Sequence, residues 1–139
     1  YMWGCQLEVG SYATSYIPTV AATVTRNEET FARTGIADLI NSAEGVLFIE
    51  MAALSNDGTT RQISLCDGTN TNRVTIGFSS SGDNLTLQVT SGGSFQMNQA
   101  KTLTQINYNK IALKYKVNDF AVWLNGTEVI TDTSGSLYR

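Results

Sequence analysis

The 139-residue chain contains no histidine. Histidine is the one side chain whose ordinary pKa places its charge change near neutrality, so its absence removes the commonest general base and the commonest metal ligand. A Ser–His–Asp arrangement is excluded outright. Charge is scarce too: 15% of residues are Asp, Glu, Lys or Arg, against about 25% in an average soluble chain. Long salt-bridged helices need more Glu, Lys and Arg than this. Lysines and arginines occur in no run and the net charge is −3, so no phosphate-tracking surface and no nucleic-acid partner is expected. No apolar run approaches the ~20 residues of a membrane-spanning helix, and no membrane insertion is expected. Proline occurs once, at Pro18, and cysteine twice, at Cys5 and Cys66. Two cysteines are too few for a disulfide framework and fit no zinc spacing. They read as small buried thiols, or as a bridge if the first strand lies beside that of Cys66.

Glycine, serine, threonine and asparagine are abundant, which suits a β-protein with many turns and a surface solvated by hydroxyls and amides. The clearest stretch is residues 109–132, NKIALKYKVNDFAVWLNGTEVITD. Three alternating runs are separated by Asn118-Asp119 and Asn125-Gly126, and Asn-Gly between alternating runs is a strong hairpin signal. Two-residue loops there set Val117 opposite Phe120, Tyr115 opposite Val122 and Leu113 opposite Leu124. Across the second loop they set Leu124 opposite Thr127, Val122 opposite Val129 and Phe120 opposite Thr131. One face is then core: Ile111, Leu113, Tyr115, Val117, Phe120, Val122, Leu124 and Val129. The other carries a row of Lys114, Trp123 and Glu128, flanked by Lys116 and Ile130.

Upstream, strands are expected over 1–9, 20–26, 46–54, 62–66, 73–79, 84–90 and 94–98, with turns between them. Residues 36–41 carry helical spacing too short for more than a single turn. Eight to ten short strands with turn signals every 8–12 residues make an antiparallel sandwich in one domain.

Two stretches carry a resemblance. Residues 1–19, YMWGCQLEVGSYATSYIPT, resemble the segment that joins consecutive β-domains in phage tail-fibre and related virion proteins, where WGAQLE precedes Tyr-Ile-Pro-Thr. Residues 38–132, with AEGVLFIEMAAL, RQISLCDGTNTNRVTIGF and NKIALKYKVNDFAVWLNGTEVITD, look like the laminin-G-like or concanavalin-like jelly roll of such fibres. The resemblance implies a linker or terminal strand from a preceding domain over 1–19 and a jelly-roll sandwich over 20–139. It implies a virion or extracellular location, with other copies of the chain, neighbouring domains or a surface glycan as partners. Cys5 and Cys66 stand where the resemblance leads one to expect small residues. A full domain of this kind continues past Tyr138, so the sandwich is expected to be incomplete at its C-terminus and to leave an open edge.

Three kinds of chemistry compete with plain structural roles. Glycoside hydrolysis needs paired carboxylates. Glu28 and Glu29 point to opposite faces of a strand, Glu44 and Glu50 straddle a turn and a strand, and Asp132 follows Glu128 into a turn, so no catalytic residue and no enzyme is expected. Laminin-G-like domains often hold Ca²⁺ at a rim, and hard oxygen ligands are available in one loop at Asp67, Asn70 and Asn72 and in another at Asp83 and Asn84, with ordinary turn chemistry as the alternative and no cofactor as the default. Glycan binding needs an aromatic platform and polar groups: Trp123 between Lys114 and Glu128, or Asp67, Asn70, Asn72 and Arg73 at a loop rim. The alternative for Trp123 is cover by a loop, domain or second subunit. Tyr1, Trp3, Tyr12 and Tyr16 are expected to pack on a neighbouring domain. A non-enzymatic tail-fibre-like module with a glycan-recognition role is the leading expectation. The alternatives are a carbohydrate-binding module of a secreted bacterial protein and a hydrolase fragment.

Overall fold

A computed structural model describes residues 5–9, 13–19, 21–25, 30 and 32–137. After a single 3-10 turn at Ala37–Leu39 come eight strands: β1 (Glu44–Met51), β2 (Arg61–Cys66), β3 (Arg73–Phe78), β4 (Asn84–Ser91), β5 (Ser94–Thr102), β6 (Asn109–Lys116), β7 (Phe120–Leu124) and β8 (Thr127–Asp132). They form two antiparallel sheets, one ordered β1-β6-β7-β8 and the other β2-β3-β4-β5. The second sheet is a pure meander. The first is the meander β6-β7-β8 with β1 added to the outer side of β6. The expected all-β sandwich is present. A jelly roll was the finer expectation, and these strand orders establish the sandwich without that connectivity.

Alternation builds the core. Val74, Ile76 and Phe78 of β3, Leu85, Leu87 and Val89 of β4, and Met97 of β5 face Ile111, Leu113 and Tyr115 of β6 and Phe120 and Val122 of β7. All are buried, as inward positions of two packed sheets must be. One end is sealed by the β5–β6 connection. There Leu103 and Gln105 are buried, Ala53 N donates to Gln105 O (2.7 Å), and Gln105 N donates to Asp83 Oδ1 (3.0 Å).

Two registers in the opening meander differ from expectation. The first hairpin turns on Val117 and Asn118, with Asp119 N donating to Lys116 O (2.9 Å). Asn118 takes the positive φ (55°). Moving the turn back one residue moves the register by two, so Leu113 pairs with Val122 and Ile111 with Leu124. A two-residue shift keeps every side chain on its expected face, except Val117, which leaves the core for the turn and is exposed. The second hairpin does turn on Asn125 (φ 51°) and Gly126 (φ 86°). A β-bulge follows it: Trp123 pairs with Glu128, but Val122 pairs with Ile130 and Phe120 with Asp132. The extra residue is Val129. Ile130 therefore packs on the core and not beside Trp123.

The N-terminal expectations fare differently. Residues 5–9 and 21–25 lie outside both sheets and are exposed, so neither described stretch forms the expected strand. Gln6 Oε1 accepts from Ile17 N (2.7 Å) and Glu8 Oε1 from Thr14 N (2.6 Å), which ties 5–9 to 13–19 through side chains. Tyr16 is exposed. Tyr1, Trp3, Tyr12, Glu28, Glu29 and the end of the chain at Tyr138 and Arg139 lie outside the described residues.

Candidate functional site

The outward positions of the β1 sheet form rows across the strands. Reading the pairings outward from β1, Phe48 lies beside Ala112, Ala112 beside Trp123, and Trp123 beside Glu128. The next row is Val46, Lys114, Ala121 and Thr131. Phe48 is 61% exposed and Val46 59% exposed, while Trp123 is half-buried. Two aromatic side chains thus stand two strand spacings apart, roughly 9.6 Å, across the methyl group of Ala112. The trough between them is open and apolar.

Its rim is charged. Lys114 Nζ lies 2.5 Å from Asp119 Oδ2, and Lys116 Nζ lies 2.9 Å from Glu44 Oε2. Glu44 beside Lys116 raises that lysine's pKa. Both pairs sit by a shallow groove of about 420 Å³ bordered by Asn41 and Tyr115. Tyr115 points its ring across Gly45, where any Cβ would collide with it. Its hydroxyl donates to Asn41 O (3.0 Å), and burial raises its pKa. At the far end of the trough, Thr131 Oγ1 donates to Glu128 Oε1 (2.6 Å).

The expected row of Lys114, Trp123 and Glu128 is therefore only partly assembled. Trp123 and Glu128 are neighbours, but Lys114 belongs to the next row and is drawn to Asp119, because the first hairpin turns one residue earlier than the sequence suggested. Phe48 takes the place beside Trp123, one strand beyond Ala112. Sequence reading set Phe48 on the second face of its strand; what it lacked was the long-range pairing of β1 with β6.

The loop-rim residues stand on the other sheet. Asp67 accepts from Thr69 N (2.9 Å), Thr69 Oγ1 (2.6 Å) and Asn72 Nδ2 (2.8 Å). The Thr69 hydroxyl, then Asn72, hold its carboxyl below the usual carboxylate value. Asn72 Oδ1 accepts from Gly92 N (2.9 Å), and Asn70 Oδ1 from Arg73 Nη1 (3.3 Å). Both Asp67 oxygens accept from neighbours within the loop. Asp83 sits in the β3–β4 turn, at the opposite end of β3 from Asp67, about 20 Å away for six residues at ~3.4 Å each. Asp67 and Asp83 therefore stand at opposite ends of the sheet, and the Asp67 carboxylate braces its own turn. Among the described residues no group of three or more His, Cys, Asp or Glu side chains could hold a metal ion.

Cys5 and Cys66 are free and exposed. This corrects both sequence readings, the bridge and the buried thiols. Cys66 ends edge strand β2 on its outward side, and Cys5 lies outside the sheets.

Carboxylate spacing on the open face is wide. Glu44 and Glu50 share one face of β1 six residues apart, roughly 20 Å, and Glu50 and Glu128 are three strand spacings and two residues apart, roughly 16 Å. A glycosidase pair needs about 5–9.5 Å. Comparison of the chain with protein-family models, with curated proteins and with solved structures finds no match.

Proposed function

We propose that this sandwich is a non-catalytic module of a fibre-like virion or extracellular appendage, and that it recognises a glycan on the open face of the β1 sheet. The observation that carries the glycan reading is the Phe48–Ala112–Trp123 trough. A pyranose offers an apolar face that stacks on aromatic rings, and equatorial hydroxyls that need polar partners at the sides. Two rings separated by a methyl-floored trough accommodate about two sugar units of an extended chain. Glu128, Lys114 and Lys110 border the trough and supply charge-assisted hydrogen bonds to hydroxyls. The fibre reading rests on the resemblance of residues 1–19 and 38–132. The low-charge surface is compatible with it.

The test is glycan-array screening of the purified protein, followed by calorimetry on any hit. Trp123→Ala and Phe48→Ala should each abolish binding while circular dichroism stays unchanged. Binding that survives both substitutions sinks the trough as the site. Hydrolysis of any polysaccharide by the protein would overturn the non-catalytic part. A second reading, a carbohydrate-binding module attached to a secreted bacterial enzyme, uses the same trough. Flanking sequence in the parent gene separates the two.

A further inference from the structure

We propose that the edge of β1, unpaired among the described residues, pairs with a second copy of this chain, antiparallel across a two-fold axis at Phe48. The inference goes beyond the glycan reading and stands or fails separately from it. An edge strand presents unpaired N–H and C=O groups, and proteins defend such edges with bulges, lysines, prolines, cover or short length. The other three edges carry such defences. β5 has a bulge, where Val89 pairs with Met97 but Thr90 with Phe95, and the Gln96 side chain there accepts from Ser136 N. β8 has its bulge at Val129, and β2 is six residues long. β1 is eight residues long with an unbroken register, and its sequence, EGVLFIEM, has no lysine or proline. It exposes Val46 and Phe48 outward, and its inward Leu47, Ile49 and Met51 are only partly buried against the core. More apolar surface would be covered on both sides of the strand by a neighbour there.

Charge selects the register. With the axis at Leu47, Glu44 of each copy would face Glu50 of the other, two like-charge pairs that oppose association. With the axis at Ile49, Phe48 would face Glu50 twice and the overlap would shorten. With the axis at Phe48, the pairs are Phe48 with Phe48, Leu47 with Ile49, Val46 with Glu50 and Gly45 with Met51. No like charges stand directly opposite, and Glu44 of one copy is only the diagonal neighbour of Glu50 of the other. Both cores lie on the same side of a continuous eight-stranded sheet, an isologous contact of the kind that closes a dimer. The outward row then runs Trp123, Ala112, Phe48, and on through the second copy's Phe48, Ala112 and Trp123, doubling the trough.

Sedimentation equilibrium over a wide concentration range tests this on the whole chain. We expect a monomer–dimer equilibrium, and Phe48→Lys should leave monomer only, with circular dichroism unchanged because Phe48 is outward and exposed. Cross-linking tests the register in a Cys5→Ser, Cys66→Ser background. Phe48→Cys should form a disulfide-linked dimer on mild oxidation, since directly opposed residues stand about 4.5–5.5 Å apart between Cα atoms. Val46→Cys should not, being displaced by roughly 13 Å along the strand from its own copy. A protein that is monomeric at every concentration, a dimer that survives Phe48→Lys, or equal cross-linking at both positions would each overturn the proposal.

Discussion

At the scale of single residues, close approach and donor geometry decide the outcomes. Gly45 lies against the buried Tyr115 ring, so Gly45→Ala must displace it and disturb its hydrogen bond to Asn41. Overpacking of this kind costs about 1–3 kcal/mol, which urea denaturation would read as a lower midpoint at unchanged slope. The Arg61 guanidinium, the backbone N–H of Thr59 and the Ser55 hydroxyl hold the Asp57 carboxyl well below its usual value, and Asp67 is lowered by Thr69 and Asn72. A depressed folded pKa contributes stability that is complete above the unfolded value, near ~3.9 for Asp, and is lost as pH falls through the folded pKa. Asp57→Asn should therefore lower Tm at neutral pH and make the acid side of the stability curve shallower. Carboxyl chemical-shift titration showing Asp67 at or above the ordinary value would contradict the assignment.

At the scale of elements, the second hairpin of the meander holds more than its turn. Asn125 takes positive φ, its N donates to Lys110 O (2.8 Å), and its Oδ1 accepts from Lys110 N (2.9 Å). Asn125→Ala loses the side-chain bond and pays a left-handed penalty, together about 1–3 kcal/mol, while Asn125→Gly should recover part of the loss. The strands themselves were legible from the sequence because period-two alternation and turn residues are local properties; β3, β4 and β6 fall within a residue of expectation. The register of the first hairpin was not, because both Val117-Asn118 and Asn118-Asp119 contain an asparagine able to take positive φ. Only the long-range pairing decides between them. The bulge at Val129 also left no local signal. Consequently Trp123 and Glu128 were found together, Lys114 was misplaced by one row, and Phe48 was missed as their neighbour. The separation of Asp67 from Asp83 was hidden for a related reason: composition counts oxygens but not the length of β3 between them.

At the scale of the whole molecule, the sandwich holds together without a bridge between Cys5 and Cys66. Reductant should leave Tm unchanged, and a thiol reagent should label both cysteines in the native protein without denaturant. Calcium should likewise leave Tm unchanged, since a ligand that binds only the native state would raise it. A calcium-dependent rise would reopen the loop at Asp67 as a site.

Beyond β8 the chain folds back across the joint between the two sheets. Asn118 N donates to Gly135 O (3.0 Å), Gly135 N to Asn118 Oδ1 (3.2 Å), and Ser136 N to Gln96 Oε1 (2.8 Å). Gly135 is pressed against Phe120, where a Cβ would collide with the ring, and Leu137 packs on the core. In mechanical terms this is a two-point anchor. Tension applied beyond Leu137 loads both sheets at once and does not peel β8 from its edge one hydrogen bond at a time. Forced unfolding reports the unfolding rate, so Gln96→Ala should lower the rupture force in single-molecule pulling more than it lowers equilibrium stability.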